Sequence, residues 1–279
     1  MRTKSILIAL GICCCASYMT SCIEQTTSPA STLHPLVDRD DFRDSRIWGK
    51  VVTKNLDLST FTKINLLGNA DIKFIQGDEL KVEAYGNEKA IEENDITVKD
   101  GVLTINRKKS ATGIVPSIQL IIEAPILECV NVSGSGDIDI EKTSEFESDL
   151  SISVSGTGDI ELDHITCHAL NINITGAGDI DAKKIKCATA DIQVSGTGDV
   201  KSDIKAENIN VQISNAGDVE LDVKCQTLNV QANGTGEVEL KGKCTTLTKQ
   251  SGGMARIDTR NLAIEEEVHL RKETDSSNQ

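Results

Sequence analysis

The chain contains 279 residues, of which 38% are hydrophobic and 3% aromatic, and its formal net charge at pH 7 is −14. This length and hydrophobic content support a packed core, in one large domain or two small ones, and exclude a wholly disordered chain. The negative charge makes nucleic acid a poor partner, because its phosphate backbone would be repelled.

The first 22 residues have the composition of a secretory signal. Arg2 and Lys4 precede a short apolar run that ends in Met19-Thr20-Ser21-Cys22, an order typical of a cleaved signal sequence. The ending resembles a bacterial lipobox, which implies lipidation of Cys22, with ordinary secretion as the alternative. Residues 23–45 have a linker composition and are predicted to be a flexible tether. We therefore expect an outer-membrane lipoprotein of the cell envelope, held by its N-terminal lipid and facing either the cell surface or the periplasm.

Residues 46–127 are predicted to form a β coil and a hairpin that cap the regular part of the chain. Leu56 to Gln76 has the pattern of one coil. Ile96 to Ile105 contains two alternating apolar runs around Asp100-Gly101, which predicts a hairpin. The alternating run from Ile118 to Ile122 is expected to lead into the regular coils. Such a cap would cover backbone edges that could otherwise pair with other chains.

A four-residue phrase, three small residues followed by an acid, recurs through residues 128–260. Its six copies are spaced by 22, 20, 20, 19 and 19 residues. A period near 20 with regular turn residues predicts a solenoid in which each repeat forms one coil. The copies are Gly134-Ser135-Gly136-Asp137, Gly156-Thr157-Gly158-Asp159, Gly176-Ala177-Gly178-Asp179, Gly196-Thr197-Gly198-Asp199, Asn215-Ala216-Gly217-Asp218 and Gly234-Thr235-Gly236-Glu237.

Strict alternation of apolar and polar residues within each repeat predicts short strands joined by corners. The signature of a leucine-rich repeat is missing, and a meander would reverse about half of its strands and lose the fixed register. We therefore predict an all-β protein, a single-stranded, right-handed parallel β-helix with coils of about 20 residues, about 4.8 Å apart, and an N-terminal β cap. Residues 261–279 are expected to form a C-terminal cap and a disordered tail.

The glycines of the phrase have a structural explanation. A sharp corner needs either a positive φ angle or a close approach of neighbouring coils, and glycine allows both. The predicted corner glycines are Gly134, Gly136, Gly156, Gly158, Gly176, Gly178, Gly196, Gly198, Gly217, Gly234 and Gly236. An outward polar column lies between the apolar positions that precede the corners and consists of Asn131, Ser153, Asn173, Gln193, Gln212 and Gln231.

The acids of the phrase suggest calcium as a cofactor. Stacked coils would place like charges about 5 Å apart, and calcium, which binds carboxylate and carbonyl oxygens, would relieve their repulsion. The candidate ligands are Asp137, Asp159, Asp179, Asp199, Asp218 and Glu237. The favoured interpretation is a solvated acidic surface, because Lys201 accompanies Asp199 and the spacing is not the nine-residue repeat of calcium-binding β-rolls.

Four cysteines occupy the same position of successive coils. Cys167, Cys187, Cys225 and Cys244 are separated by 20, 38 and 19 residues. Equivalent atoms of neighbouring coils lie about 4.8 Å apart, farther than a disulfide prefers, so free inward thiols are predicted. The two histidines that flank Cys167 are too few ligands to indicate a zinc site.

The stretch from Gly68 to Gly77, GNADIKFIQG, and the later SGTGD corners carry a resemblance to a known family. Together with the lipobox they resemble the GIN domain of Bacteroidetes-type bacteria, which is regarded as an autotransporter-adhesin head. The resemblance extends over about residues 50–260 and implies a β-solenoid on the cell envelope. It supplies no catalytic residues, and the acidic C-terminal end departs from the family pattern.

The expected function is binding or adhesion by an envelope-anchored head without enzymatic activity, and the expected partner is a protein or a glycan. The carboxylates recur evenly along the repeat, whereas a glycosidase needs two differently tuned carboxylates at one place. The alternatives are a structural or envelope-stress lipoprotein of the periplasm and, less favoured, a polysaccharide-active β-helix enzyme. The sequence does not indicate the oligomeric state.

Overall fold

The computed structural model describes residues 45–109, 113, 115–141 and 148–269. The predicted signal sequence, the lipidation at Cys22, the tether up to residue 44 and the tail beyond residue 269 lie outside these residues. The described part contains two short helices, α1 (Ser45–Trp48) and α2 (Glu88–Glu92), and otherwise only strands, turns and loops, so the prediction of an all-β protein is confirmed. No helix among these residues has the length and apolarity needed to cross a membrane.

The described chain forms nineteen strands. The first seven are β1 (Val51–Asn55), β2 (Lys63–Leu66), β3 (Asp71–Gln76), β4 (Lys81–Asn87), β5 (Asn94–Lys99), β6 (Val102–Arg107) and β7 (Gln119–Ala124). The next six are β8 (Cys129–Val132), β9 (Ile138–Ile140), β10 (Leu150–Val154), β11 (Ile160–Asp163), β12 (Ala169–Ile174) and β13 (Ile180–Lys186). The last six are β14 (Thr189–Val194), β15 (Val200–Lys205), β16 (Asn208–Ile213), β17 (Val219–Ala232), β18 (Glu237–Ser251) and β19 (Arg256–His269).

From β8 onwards the strands form two parallel stacks joined by the predicted corners. The first stack runs through β8, β10, β12, β14 and β16 into the second halves of β17, β18 and β19. The second runs through β9, β11, β13 and β15 into the first halves of the same long strands. The result is a β-solenoid of about seven turns, as the repeat predicted.

The core of the solenoid consists of the apolar columns that flank the corners. Val154 lies directly between Val132 and Ile174 in the first stack, and all three are fully buried. On the other side of the corner, Ile160 lies between Ile138 and Ile180 and is equally buried. Because every turn repeats this register, each apolar side chain packs on its equivalent in the next turn, and the core continues along the stack.

The N-terminal region, residues 51–124, does not follow chain order. Strand β2 pairs with β8 on one side and with β6 on the other, and β3 likewise lies between β9 and β7. Strands β6 and β7 therefore form an outer turn, and β2 and β3 are inserted between it and the regular turns. Along the chain the stretch from Ile118 to Ile122 leads into β8 and the regular turns, but in space β3 lies between β7 and β9.

Antiparallel strands cover the edge of the outer turn. Strand β5 pairs with β6 in the predicted hairpin, whose turn residues Asp100 and Gly101 have φ angles of 51° and 74°, as in a primed two-residue turn. Strand β4 pairs antiparallel with β7, and β1 pairs antiparallel with β4. At the opposite end β19 pairs with β18 as far as Lys249 and His269, with one register shift between Glu239 and Lys241, and so extends past the position where the sequence predicted a cap to begin.

Candidate functional site

The corner acids form a hydrogen-bond ladder along the solenoid. Oδ1 of Asp159 accepts the backbone N–H of Asp179 at 2.8 Å, and Oδ1 of Asp179 accepts that of Asp199 at 2.8 Å. The same bond links every turn from Asp71 to Glu237, at N···O distances between 2.6 and 3.1 Å. Each aspartate thus bonds the next turn rather than its own corner, which gives the acid of the phrase a structural role.

The corner glycines are required by the close approach of successive turns. A Cβ atom added to Gly158 would lie 2.0 Å from the carbonyl oxygen of Gly136, and one on Gly178 would lie 2.1 Å from that of Gly158. All eleven predicted glycines would place a Cβ within 2.4 Å of a backbone oxygen. Of these glycines only Gly234 has a positive φ angle, 109°. Of the two explanations that the sequence left open, close approach is therefore the general one.

The next outward acids along the second stack are paired with cations of the chain itself. Nζ of Lys241 lies 2.7 Å from Glu220 and 3.3 Å from Glu239, and Nζ of Lys183 lies 3.4 Å from Asp181. The hydrogen bond from Lys241 holds the pKa of Glu220 below its usual value. These ion pairs reduce the negative charge beside the column of corner acids.

Calcium binding by the six corner acids stays a prediction. One oxygen of each corner aspartate is already used by the ladder. Within the described ranges no group of three or more histidine, cysteine, aspartate or glutamate side chains is arranged to hold a metal ion.

The cysteine column faces inwards and is reduced. All five cysteines in the described part of the chain are free, and Cys225 and Cys244 lie in register on adjacent strands. Burial raises the pKa of Cys225 to about 12, and the hydrogen bond with Cys187 together with burial raises the pKa of Cys167. The thiols of Cys167 and Cys225 therefore carry their protons near neutral pH and pack as small apolar side chains.

The two histidines near Cys167 each have an aspartate partner. Nδ1 of His164 lies 2.5 Å from Asp163, and Nδ1 of His168 lies 3.0 Å from Asp149. Nε2 of His164 also contacts Nζ of Lys184 at 2.8 Å. Both histidine rings are therefore held by separate partners instead of converging on a shared metal position.

A polar surface covers the outer side of the first stack in the four turns that contain β14, β16, β17 and β18, and we call it the amide face. A groove of 420 Å³ lies over it. In its inner row, Nδ2 of Asn210 donates to Asp191 at 2.6 Å, and Nδ2 of Asn229 donates to Oδ1 of Asn210 at 2.9 Å. The face consists of Asp191, Gln193, Asn210, Gln212, Asn229, Gln231, Thr248 and Gln250.

The outer row of the amide face contains four glutamines in register. Gln193, Gln212, Gln231 and Gln250 occupy equivalent positions of consecutive turns, and all four are exposed. Neighbouring strands lie about 4.8 Å apart, which sets the spacing of the side chains. Among the described residues none of the four amides has a hydrogen-bond partner, so their donors and acceptors are available to a ligand.

The sequence identified the polar column but did not predict its possible role in binding. Three of the four glutamines were recognised only as outward residues. The signal that distinguishes them is the change along the column from Asn131 and Ser153 to an unbroken run of glutamines.

The comparisons with known proteins agree with this architecture. A sequence profile of the family described as "Putative auto-transporter adhesin, head GIN domain" matches residues 60–202 and again residues 199–277. No curated protein matches the chain.

Solved structures share the fold at low sequence identity. A "putative adhesin" from Bacteroides fragilis NCTC 9343 is 20% identical with a TM-score of 0.62, covering 78% of this chain and 97% of that one. A "putative lipid binding protein" from Parabacteroides distasonis ATCC 8503 is 17% identical with a TM-score of 0.60, covering 80% and 98%. A "putative adhesin" from Parabacteroides merdae ATCC 43184 is 16% identical with a TM-score of 0.55, covering 80% and 97%. The two profile matches cover well over half of the chain, and the protein therefore belongs to this family of GIN head domains.

Proposed function

We propose that the protein is a non-enzymatic binding protein of the cell envelope that holds an extended, uncharged glycan on its amide face. The row of four exposed, unpartnered glutamines carries this proposal. Primary amides donate and accept hydrogen bonds, as sugar hydroxyls do, and the rigid stack repeats them at one spacing. A ligand that extends along the solenoid axis would meet the same pair of groups at every turn.

The family and the chemistry of the corners support a binding role over catalysis. The description of the family names an adhesin head, which is a binding role. The corner carboxylates are engaged in the ladder, and those beside them form ion pairs with Lys183 and Lys241. A glycosidase instead needs an acid and a second carboxylate with different pKa values across a cleft. The name of the Parabacteroides distasonis neighbour raises lipid binding. The apolar residues under the amide face, Ile192, Val211 and Val230, are buried, so the face offers a lipid chain mainly polar side chains.

The ligand is tested by titrating neutral polysaccharides into the protein and measuring heat or fluorescence. Replacing Gln193, Gln212 and Gln231 with alanine should weaken binding roughly tenfold or more, since three hydrogen-bonding groups are lost. The matched control replaces Asn55, Gln226 and Asn261, three exposed amides outside the amide face, and should bind like the wild type. Equal affinity of the two triple variants, with unchanged thermal stability, would show that the amide face is not the binding surface.

Envelope anchoring rests on the sequence around Cys22. We infer that the lipid on this cysteine holds the head on the outer membrane, with the solenoid at the cell surface. Protease added to intact cells should therefore digest the wild-type head, and Cys22→Ala should move the protein into the soluble fraction. Protection of the head in intact cells would contradict surface exposure, and a Cys22→Ala variant that stays with the membranes would contradict the lipid anchor.

A further inference from the structure

Four lysines form a second in-register row, on a different side of the solenoid. Lys186 pairs with Lys205, Lys205 with Lys224, and Lys224 with Lys243 in successive parallel strands. All four side chains are exposed. We call this row the lysine edge. At about 4.8 Å per turn it extends over roughly 14 Å.

The lysines of the lysine edge differ from the other lysines of the regular turns in having no partner for their ammonium groups. Lys183, Lys201, Lys241 and Lys249 each lie within 4 Å of a carboxylate, and Lys184 contacts Nε2 of His164. None of the four edge lysines forms an ion pair or a hydrogen bond through its side chain with any described residue. Like charges directly opposite on neighbouring strands destabilise a sheet, so the row is positioned to gain from an anion that neutralises it.

A cleft of 390 Å³ runs beside the row, between the lysines and the next corner. Cys187, Ala206 and Cys225 line it on the side of the core, and Glu207 is the acidic residue on its wall. The small side chains at this corner leave room for a ligand to lie against the backbone. All four lysines of the lysine edge also line this cleft.

We propose that the lysine edge is a binding site for a linear anionic polysaccharide, one that carries sulfate, phosphate or carboxylate groups along its length. Each turn presents one ammonium group, so a chain lying parallel to the solenoid axis would meet a cation at every turn. The net charge of −14 repels such a polysaccharide only weakly, because charges more than about 8 Å away are largely screened at physiological ionic strength. This proposal does not depend on the amide face or on the lipid anchor.

The surroundings of the row favour a thin chain over a flat surface. Asp203 and Asp222 point outwards two residues before Lys205 and Lys224, so a membrane pressed against this side would meet carboxylates as well as ammonium groups. A nucleic acid strand usually also stacks its bases on aromatic side chains, and the sequence has none after Phe146. A linear polysaccharide needs only the row of charges and the cleft.

The test measures binding of dextran sulfate, with uncharged dextran as the reference, to the full-length chain at several salt concentrations. The test variant changes Lys186, Lys205, Lys224 and Lys243 to glutamine. The control variant changes Lys50, Lys63, Lys99 and Lys109 to glutamine, which are exposed lysines of the N-terminal region, so both variants lose the same charge. The wild type should bind dextran sulfate but not dextran. The test variant should bind roughly tenfold or more weakly, with a slope of log K against log salt smaller by about 3, while the control changes less than about twofold.

Four results would overturn the proposal. The first is that the wild type fails to bind dextran sulfate, and the second is that both variants lose affinity equally. The third is that wild-type protein binds vesicles of phosphatidylcholine and phosphatidylglycerol, or a single-stranded oligonucleotide, more tightly than dextran sulfate. The fourth is that wild-type protein sediments as a dimer and the test variant as a monomer, since the edge would then face the acids of a second copy. Equal thermal unfolding midpoints of the three proteins show that the comparison is made on folded chains.

Discussion

The regular turns and the N-terminal region contain the same corner phrase in different surroundings. In the regular turns each corner packs on the corner before it, and a Cβ on Gly156 would lie 2.0 Å from the carbonyl oxygen of Gly134. In the N-terminal region the corner begins at Gly68, where an added Cβ would meet nothing closer than the backbone nitrogen of Arg107 at 3.6 Å. The next small position of this copy is already an alanine, Ala70. The glycine is therefore required by the neighbouring turn, and the corner itself does not demand it.

The largest expected effect comes from filling one regular corner. Gly158→Ala should lower the free energy of unfolding by about 3 kcal/mol or more, because the methyl group meets a backbone carbonyl of the preceding turn that cannot move alone. Gly158→Val should lower the free energy of unfolding further, because its side chain is larger. Gly68→Ala is the matched change in the N-terminal region, and its effect should stay within about 0.5 kcal/mol.

Urea unfolding followed by circular dichroism measures both variants. Equal destabilisation by Gly158→Ala and Gly68→Ala would show that the corner conformation, and not the neighbouring turn, sets the need for glycine. A loss of cation binding without a loss of stability in Gly158→Ala would instead favour the ligand role of the phrase.

Substitutions in the aspartate ladder should have similar effects on stability in the two regions, unlike the glycine substitutions, because the ladder continues from one region into the other. Asp179→Ala removes the acceptor for the N–H of Asp199 and should cost about 1 kcal/mol, whereas Asp179→Asn keeps an oxygen at the same place and should cost less. Asp137 donates its N–H to Asp71 of the N-terminal region in the same way, at 3.1 Å. The same pair of substitutions at Asp71 should therefore give the same order of stabilities. Equal stability of the alanine and asparagine variants at both sites would contradict the structural role of the ladder.

The two regions also differ in how much of their structure the sequence reveals. The period near 20 residues predicts the regular turns, since a repeated phrase in register leaves few other ways to bury the flanking valines and isoleucines. The inserted turn is invisible in the pattern, because Ile118 to Ile122 alternates in the same way whether its neighbour is β3 or β9. Periodicity reports which face of a strand is buried and not which strand lies next to it.

The sequence pattern reveals the two candidate binding surfaces only in part. The glutamine row precedes the corner phrase in each turn and was visible in the sequence as part of a polar column. The lysine edge also repeats, since Lys186, Lys205, Lys224 and Lys243 follow one another at intervals of 19 residues. That the edge lysines lack carboxylate partners is a property of three-dimensional packing.

A smaller effect is expected from a buried polar side chain of the N-terminal region. Gln119 in β7 is completely buried, and among the described residues neither of its amide atoms has a hydrogen-bond partner. Gln119→Leu should raise the free energy of unfolding by about 1 kcal/mol, because a buried amide without partners is unfavourable. Urea unfolding of Gln119→Leu and of Gln119→Ala, which leaves a cavity, measures the gain. Destabilisation by both would indicate that the amide has a partner, such as a buried water.

The smallest effect is expected at the last regular turn and depends on pH. Asp258 is buried and accepts hydrogen bonds from Nε of Arg260 at 2.9 Å, and these bonds lower its pKa from 3.8 to about 2. A pKa that is lower in the folded than in the unfolded state stabilises the fold at any pH above the unfolded value, and this contribution is lost as the pH falls from about 4 to about 2. Asp258→Asn should therefore unfold more easily than the wild type at pH 7, and the difference should disappear near pH 2. Thermal unfolding across this range measures it, with Asp203→Asn, an exposed aspartate without an ion pair among the described residues, as the control. A difference between wild type and Asp258→Asn that persists at pH 2 would mean that the shape of the side chain matters there and not its charge.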